Sequence, residues 1–160
     1  MRRRRCLGLL LLALSGCADS SDKIRTYAIG ERVQTGPLVY DVFETHWAMT
    51  LGPQANPRVP AKHFLLVRVA INNAGATDTT VPTMTLVDDK DQSTNELTDG
   101  TDIPDWLGID RRLQPMQSSK GNVAFDAQPR HYRLRVSDET EQILAYIDLP
   151  LTFNSDERTP

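Results

Sequence analysis

The chain has 160 residues, a length typical of one domain, and 39% of its residues are hydrophobic. Its formal net charge is −3 at pH 7, and it becomes −7 if the four arginines at positions 2–5 are removed with an N-terminal leader. Nucleic-acid phosphates attract clusters of Lys and Arg, so this acidic body predicts no nucleic-acid partner.

The N-terminus has the pattern of an export signal. Residues 1–5 are positively charged, and residues 7–14 form an apolar run of about eight residues, whereas a membrane-spanning helix needs about 20. The run ends in Leu-Ser-Gly-Cys, which resembles a bacterial lipobox at every position. That resemblance implies cleavage between Gly16 and Cys17 and a diacylglycerol on the Cys17 sulfur. A plain signal peptide with a chance cysteine is the alternative.

A lipidated Cys17 predicts a protein of the bacterial cell envelope that is anchored to a membrane. Two or three acyl chains hold a protein firmly, because each buried CH₂ contributes about 0.8 kcal/mol. Ala18 follows the cysteine, which resembles sorting to the periplasmic face of the outer membrane in a Gram-negative host. Residues 1–16 are thus predicted to be the signal peptide, and residues 17–28 a lipidated N-terminus and short polar tether.

Residues 29–153 show the period-two alternation and frequent turns of antiparallel sheets. The predicted strands are 29–36, 38–47, 63–73, 79–87, 93–97, 121–126, 132–136 and 143–149. Residues 98–114 form the longest irregular stretch, with a predicted helical turn around Trp106. Seven or eight short strands predict an all-β, two-sheet sandwich, with a closed barrel as the alternative. Residues 154–160 form a polar C-terminal tail.

Several segments together resemble the exported bacterial family known as domain of unknown function 4352. They are Gly30-x-x-Val33, residues 38–42, the strand 64–75 that ends in Asn-x-Gly, Leu86-x-Asp88, and residues 113–125. In the last segment Met116 stands where the family pattern has a glycine. The resemblance covers roughly residues 29–149 and implies an immunoglobulin-like (telokin-like) sandwich related to secreted immunoprotective antigens of mycobacteria. It implies no established activity and no catalytic residues.

Enzyme motifs are missing from the sequence, which has no nucleophile elbow, no Gly-rich phosphate loop and no His-Glu-x-x-His pair. We therefore predict a protein that is not an enzyme and has no cofactor. The three histidines, His46, His63 and His131, are far apart and are predicted to be surface side chains. A Zn²⁺ site would need them to converge in the fold.

One acidic turn has oxygen ligands at alternate positions, as a Ca²⁺ loop would. Asp89, Asp91 and Ser93 are the candidate ligands, but the glycine and the final acidic residue of an EF-hand are both missing. A solvated hairpin turn, in which Asp is common, is the favoured interpretation.

A second acidic group, formed by Asp99, Asp102 and Asp105 beside Trp106, lies on the long irregular stretch. Long loops on rigid sandwiches commonly carry binding sites, so these residues are the candidate partner-binding loop. Trp106 is either a binding hot spot or, as we favour, a cap on the core. The predicted partner is an unidentified envelope protein. A small ligand or Ca²⁺ bound at residues 88–93 or 99–106 is the alternative.

The sequence has one basic cluster around the strand 132–136. Its members are Arg130, His131, Arg133 and Arg135. This face could meet an anionic polymer, but in an acidic chain we expect it to pair with acidic neighbours on the next strand.

Overall fold

The computed structural model describes residues 24–151. These residues contain eleven strands, joined by turns and loops, and no helix. The strands are β1 (Arg25–Tyr27), β2 (Arg32–Thr35), β3 (Leu38–Ala48), β4 (His63–Asn73), β5 (Thr79–Thr80), β6 (Thr85–Val87), β7 (Ser93–Asn95), β8 (Arg112–Leu113), β9 (Ser118–Ala127), β10 (Tyr132–Ser137) and β11 (Leu144–Leu149). The predicted signal peptide, the lipidation site at Cys17 and the C-terminal tail lie outside the described residues. No helix in residues 24–151 is long and apolar enough to cross a membrane.

The strands form two main sheets and one small ribbon. One sheet has the order β1-β11-β10-β6-β7, the other has the order β2-β3-β4-β9, and β5 pairs with β8. All neighbours are antiparallel except β1 and β11, which run in the same direction. The predicted all-β, immunoglobulin-like sandwich is confirmed, but residues 24–151 contain eleven strands where seven or eight were predicted.

The main core lies between the two sheets and follows the alternation of the sequence. Leu65, Val67, Val69 and Ile71 of β4 are at most 1% exposed, and Leu134 of β10 is fully buried in the same cluster. Each such side chain contributes about 1.5–3 kcal/mol when it leaves water. The inward positions predicted for β4, β9 and β10 are therefore correct.

Three local predictions need correction. The predicted strand 79–87 is divided, because Pro82 has no N–H for a ladder: β5 pairs with β8, and β6 joins the five-stranded sheet. The long irregular stretch contains β8 and, at Trp106, an isolated bridge, but no helical turn. Finally, β1 belongs to the sandwich, although the sequence analysis assigned its residues to the tether.

Candidate functional site

Residues 97–110, which we call the acidic loop, cross the outer face of the four-stranded sheet. The loop carries four aspartates and no basic residue. Beneath it lies a second, smaller core that is separate from the main one. Its buried members are Leu51, Phe64, Leu66, Ile103 and Ala124. The sheet is therefore covered on both faces where this loop lies.

Trp106 holds the loop on this smaller core. Its half-buried indole packs against the cluster, and Gly100 lies flat on the ring, since a Cβ there would come within 1.8 Å of the indole. The loop backbone also joins β9: Asn122 N–H donates to the Asp105 carbonyl at 2.8 Å, and Leu107 N–H donates to the Asn122 carbonyl at 3.0 Å. The position of Trp106 agrees with the favoured prediction of a core cap, although the core that it covers is the outer one. Its role as a binding hot spot stays a prediction.

A buried ion pair closes the loop at its base. Glu96 immediately precedes the loop and Arg111 immediately follows it, and their side chains are 1% and 2% exposed. The contact is bidentate, with Arg111 Nη1 to Glu96 Oε1 at 3.1 Å and a second bond from Nη2 to Oε2. Glu96 also accepts the Met84 N–H at 2.7 Å, and Arg111 Nε donates to the Gly108 carbonyl. Because these charges are satisfied only by each other and by the backbone, the two ends of the loop are fixed together.

Two arginines hold the middle of the loop, Arg58 from the segment between β3 and β4 and Arg68 from β4. Arg58 donates to the carbonyl oxygens of Asp99 and Thr101, and Arg68 Nη1 lies 3.2 Å from a carboxyl oxygen of Asp105. Hydrogen bonds from the Thr101 hydroxyl and N–H lower the pKa of Asp99. The Asp99 and Asp105 side chains are nevertheless 65% and 68% exposed. The loop is thus held through its backbone and its base, while its carboxylates face water.

Asp102 and Asp105 have left-handed backbones, with φ of +61° and +47°. Asp and Asn tolerate this region better than other residues that carry a Cβ, since their short polar groups can bond to the local backbone. The Asp102 carboxyl group lies against Gly52, where a Cβ would approach it to 2.6 Å. This close approach explains why a glycine stands in the neighbouring loop.

A cleft of about 200 Å³ opens beside the loop. It is lined by Glu44, His46, Leu66, Arg68, Pro104 and Asn122. A β-bulge between Val42 and Glu44 shifts the register of β3, so that Glu44 lies opposite Arg68 and His46 opposite Leu66 on the outer face. The sequence analysis treated β3 as a regular alternating strand and so did not predict this bulge. It also did not predict the ion pair of Glu96 and Arg111.

The three histidines do not converge. His46 lines the cleft, His63 begins β4, and His131 lies beside β10. Within residues 24–151, no group of three or more His, Cys, Asp or Glu side chains is placed to hold a metal ion.

The other acidic segment, the hairpin turn 88–91 between β6 and β7, is organised differently. Asp88 is buried and accepts the N–H groups of Lys90 and Gln92, each at 2.9 Å, and these hydrogen bonds with the nearby Arg130 lower the pKa of its carboxyl group. Asp91 contacts Arg133 at 2.9 Å. Both Ca²⁺ candidates therefore already face a basic side chain, Asp91 that of Arg133 and Asp89 that of His131. Ca²⁺ binding by these residues with Ser93 stays a prediction.

His131 connects this turn to β11. Its Nδ1 lies 3.0 Å from Asp89 and its Nε2 lies 2.6 Å from Asp148. The two hydrogen bonds to carboxylates raise the pKa of His131. Arg130, Arg133 and Arg135 also contact acidic side chains, the last at 3.9 Å from Glu141. The basic cluster therefore pairs with acidic neighbours, as predicted, but only Asp148 lies on the neighbouring strand and the other partners lie in turns.

The two packed sheets define the class of this protein as an immunoglobulin-like β-sandwich with a long loop held on one outer face. Its family follows from comparison of the sequence. A family model described as "Domain of unknown function (DUF4352)" matches residues 27–141, and the chain belongs to this family. The resemblance found in the sequence is therefore confirmed. No curated protein matches the chain.

Solved structures of low sequence identity share the fold. The yjhA protein from Bacillus subtilis is 17% identical with a TM-score of 0.61, and the match covers 77% of this chain and 98% of that one. The secreted protein MPT63 from Mycobacterium tuberculosis is 14% identical with a TM-score of 0.58, over 81% and 99% of the two chains. A candidate lipoprotein from Bacillus subtilis, ycdA, is 15% identical with a TM-score of 0.55, over 77% of this chain and 39% of that one. At these identities the likeness concerns the fold alone.

Proposed function

We propose that this protein is a lipid-anchored module of the bacterial cell envelope that binds a partner protein through the acidic loop and catalyses no reaction. The observation that carries the proposal is the way the loop is held. A buried ion pair, two arginines and the seated indole of Trp106 fix its backbone, while the carboxylates of Asp99 and Asp105 remain mostly exposed. A rigid loop loses little entropy on binding, which favours a role in recognition.

Charge indicates the kind of partner. The loop carries four aspartates, and the described contacts pair only Asp99 and Asp105 with arginines. Glu44 adds a further carboxylate at the cleft. A partner with a basic surface would therefore associate fastest, and salt would weaken its binding.

The anchor is supported by the lipobox-like sequence that ends at Cys17. MPT63 is described as secreted and ycdA as a candidate lipoprotein, which agrees with an envelope location. Membrane fractionation tests this part. Cys17→Ala should release the protein or stop its maturation, and an unchanged membrane fraction would refute lipid anchoring.

Crosslinking in cells followed by mass spectrometry tests the binding part. We expect one reproducible envelope protein with the natural sequence, and its loss in the double variant Asp102→Asn/Asp105→Asn. Asparagine keeps the left-handed backbone at both positions while it removes the charge. The matched control is Asp89→Asn/Asp91→Asn in the hairpin turn, where Asp91 is also left-handed, with φ of +57°. Retention of the partner by the loop variant, or its loss in the control, would contradict the proposal.

The cleft supports a second candidate function, the binding of a small ligand. Its volume of about 200 Å³ is below the range of about 300–1,000 Å³ that is usual for ligand pockets, so only a ligand of a few heavy atoms would fit. Its lining combines an apolar floor at Leu66 with Arg68 and Glu44 for polar recognition. Calorimetry of the soluble domain with Ca²⁺ and with a panel of amino acids tests this alternative. Absence of heat and of any shift in melting temperature would remove it.

A further inference from the structure

We propose that the sandwich stands on the membrane on one particular end, the end where β1 begins, and that exposed apolar side chains there rest in the bilayer interface. We call this the tether end. The inference depends on the lipid-anchoring part of the proposed function and adds an orientation to it. It is independent of the acidic loop.

The strand pairing shows which features lie at the tether end. Arg25 at the start of β1 pairs with Ala145 near the start of β11, because the two strands are parallel. The hairpin between β10 and β11 therefore lies at this end, where Ser137 pairs with Leu144. In the other sheet, Gly36 lies against Asp138 and Ile143, so the turn between β2 and β3 is also here.

The chain before β1 keeps this end close to the anchor. Cys17 and Ile24 are seven residues apart, which spans at most about 25 Å when fully extended. The 11 residues of β4 span about 36 Å, which is the approximate length of the sandwich. The tether end can therefore always reach the bilayer, whereas the opposite end reaches it only if the sandwich lies on its side.

Apolar side chains are exposed at the tether end. Ile24 is 39% exposed, Ile143 is 50% exposed and Met116 is 79% exposed. Met116 belongs to this group because its N–H donates to the carbonyl of Asn73, the last residue of β4, at 2.8 Å. Apolar side chains of this kind are stabilised at the boundary between headgroups and acyl chains.

Met116 is the most telling member of the group. Its φ is +64°, a left-handed conformation that costs a residue with a Cβ about 1–2 kcal/mol and that glycine adopts freely. This strained methionine is mostly exposed, so its side chain contributes nothing evident to the packing of the domain. The same position would bring an apolar side chain against lipid.

The charged groups at the tether end have partners within the domain, which lowers the cost of bringing them to the headgroup region. Arg112 lies 3.3 Å from Asp78, and Arg135 lies 3.9 Å from Glu141. Glu139 accepts hydrogen bonds from Thr79 and Thr80, and Arg25 stands over the ring of Tyr27. Asp138 is buried and bonded to its own turn.

The opposite end supplies a matched comparison. It carries Met49, which is 72% exposed, and Val59, which is 69% exposed, next to the bridge between Leu51 and Arg58. These side chains match Met116 and Ile143 in chemistry and exposure, but they lie beyond the far ends of β3 and β4. Any difference between the two pairs therefore reports orientation and not hydrophobicity.

Depth-dependent fluorescence quenching tests the proposal in the lipidated full chain. Single cysteines replace Met116, Ile143, Met49 and Val59 in turn and are labelled with bimane. The labelling is specific because the mature chain has no other cysteine than Cys17, whose sulfur is blocked by lipid. The protein is then placed in phosphatidylcholine vesicles that contain doxyl-labelled lipid.

We expect bimane at positions 116 and 143 to lose at least about half of its fluorescence to the doxyl lipid, since interfacial side chains lie about 5–10 Å into the headgroup boundary. Positions 49 and 59 should remain sensitive to aqueous iodide instead. Equal quenching by doxyl lipid at both ends would overturn the proposal. Protection of position 116 from iodide without quenching by lipid would also overturn it, because that result indicates a protein partner at this end. Failure of the protein to float with the vesicles would instead refute the anchor.

Discussion

The acidic loop 97–110 and the hairpin turn 88–91 look alike in the sequence, since each places several aspartates close together without a neighbouring helix. In the structure they differ. Each aspartate of the hairpin turn contacts a basic side chain from β10 or its preceding turn: Arg130, His131 and Arg133. In the acidic loop, the described ion pairs involve only Asp99 and Asp105, and the buried pair of Glu96 and Arg111 lies beneath the loop instead of on it.

The two segments therefore differ in where the basic partners of their carboxylates lie. An acidic segment whose carboxylates are paired has a structural role, whereas one whose carboxylates stay exposed is available for binding. In the hairpin turn the charges hold neighbouring strands together. In the loop the buried charges fix the backbone, and an excess of carboxylates is left for solvent or a partner.

The largest effect should come from breaking the ion pair under the loop. Arg111→Met leaves Glu96 buried without its cation, and we expect a loss of about 3–5 kcal/mol in the free energy of unfolding, measured with urea. Adding Glu96→Leu should recover part of this loss by removing the unpaired charge. The recovery should be incomplete, because the Met84 N–H then loses its acceptor. A loss below about 1 kcal/mol for Arg111→Met would contradict a structural role for the pair.

A smaller effect should follow from disturbing the seat of Trp106. Gly100→Ala places a methyl group on the indole ring, and we expect a loss of about 1–3 kcal/mol from overpacking, together with a change in tryptophan emission. Gly108→Ala is the control in the same loop, since a Cβ there meets nothing within 4 Å. At φ of +78° it carries only the cost of the left-handed backbone, about 1–2 kcal/mol, and should leave the emission unchanged. Equal emission spectra for both variants would show that Trp106 is not held as described.

The smallest effect concerns the hairpin turn and pH. Both ring nitrogens of His131 face carboxylates, and only the protonated ring can donate to both. Its pKa is raised above the ordinary value of 6.5, so its stabilising contribution is fully present below pH 6.5 and is lost as the pH rises through the higher folded-state pKa. Because the side chain is 41% exposed, the contribution should be less than about 1 kcal/mol.

Urea unfolding of the natural protein and of His131→Gln at pH 6 and pH 8.5 measures this contribution. The natural protein should lose stability between the two values, and the variant should lose less. A pH dependence that is the same in both proteins would show that the His131 bridge does not stabilise the turn.

Much of the fold could be predicted because it depends on alternation that the sequence displays directly. The strand β4 was predicted with its observed bounds, His63–Asn73, and the inward residues of β10 were correct. The division of the predicted strand 79–87 between two sheets was missed, although Pro82 gave a signal for it. The strand β1 was missed because its three residues, Arg-Thr-Tyr, are too few to show an alternation of apolar and polar side chains. Only the pairing with β11 identifies it as a strand.

The site was predicted only in outline. Asp99, Asp102, Asp105 and Trp106 do lie together on one loop, but their support comes from residues distant in sequence. Nothing in the sequence distinguishes Glu96, Arg111 or Arg58 from ordinary surface charges, since burial and pairing are properties of the folded chain. The bulge that brings Glu44 and His46 to the cleft likewise leaves no clear sequence signal.

The acidic loop, and not the hairpin turn, is the proposed binding surface. Photo-crosslinking in cells distinguishes the two, with a photoreactive residue at Ile109 in the loop or at Lys90 in the turn, both of which are exposed. We predict a discrete protein adduct from position 109 that disappears with Asp102→Asn/Asp105→Asn, and none from position 90. Asp105→Asn weakens the contact with Arg68, but because the Asp105 side chain is 68% exposed the double variant should lose no more than about 1 kcal/mol. Loss of the adduct from a variant that is still folded would therefore report lost binding. An adduct from position 90 alone, or one from position 109 that survives removal of both charges, would contradict the account.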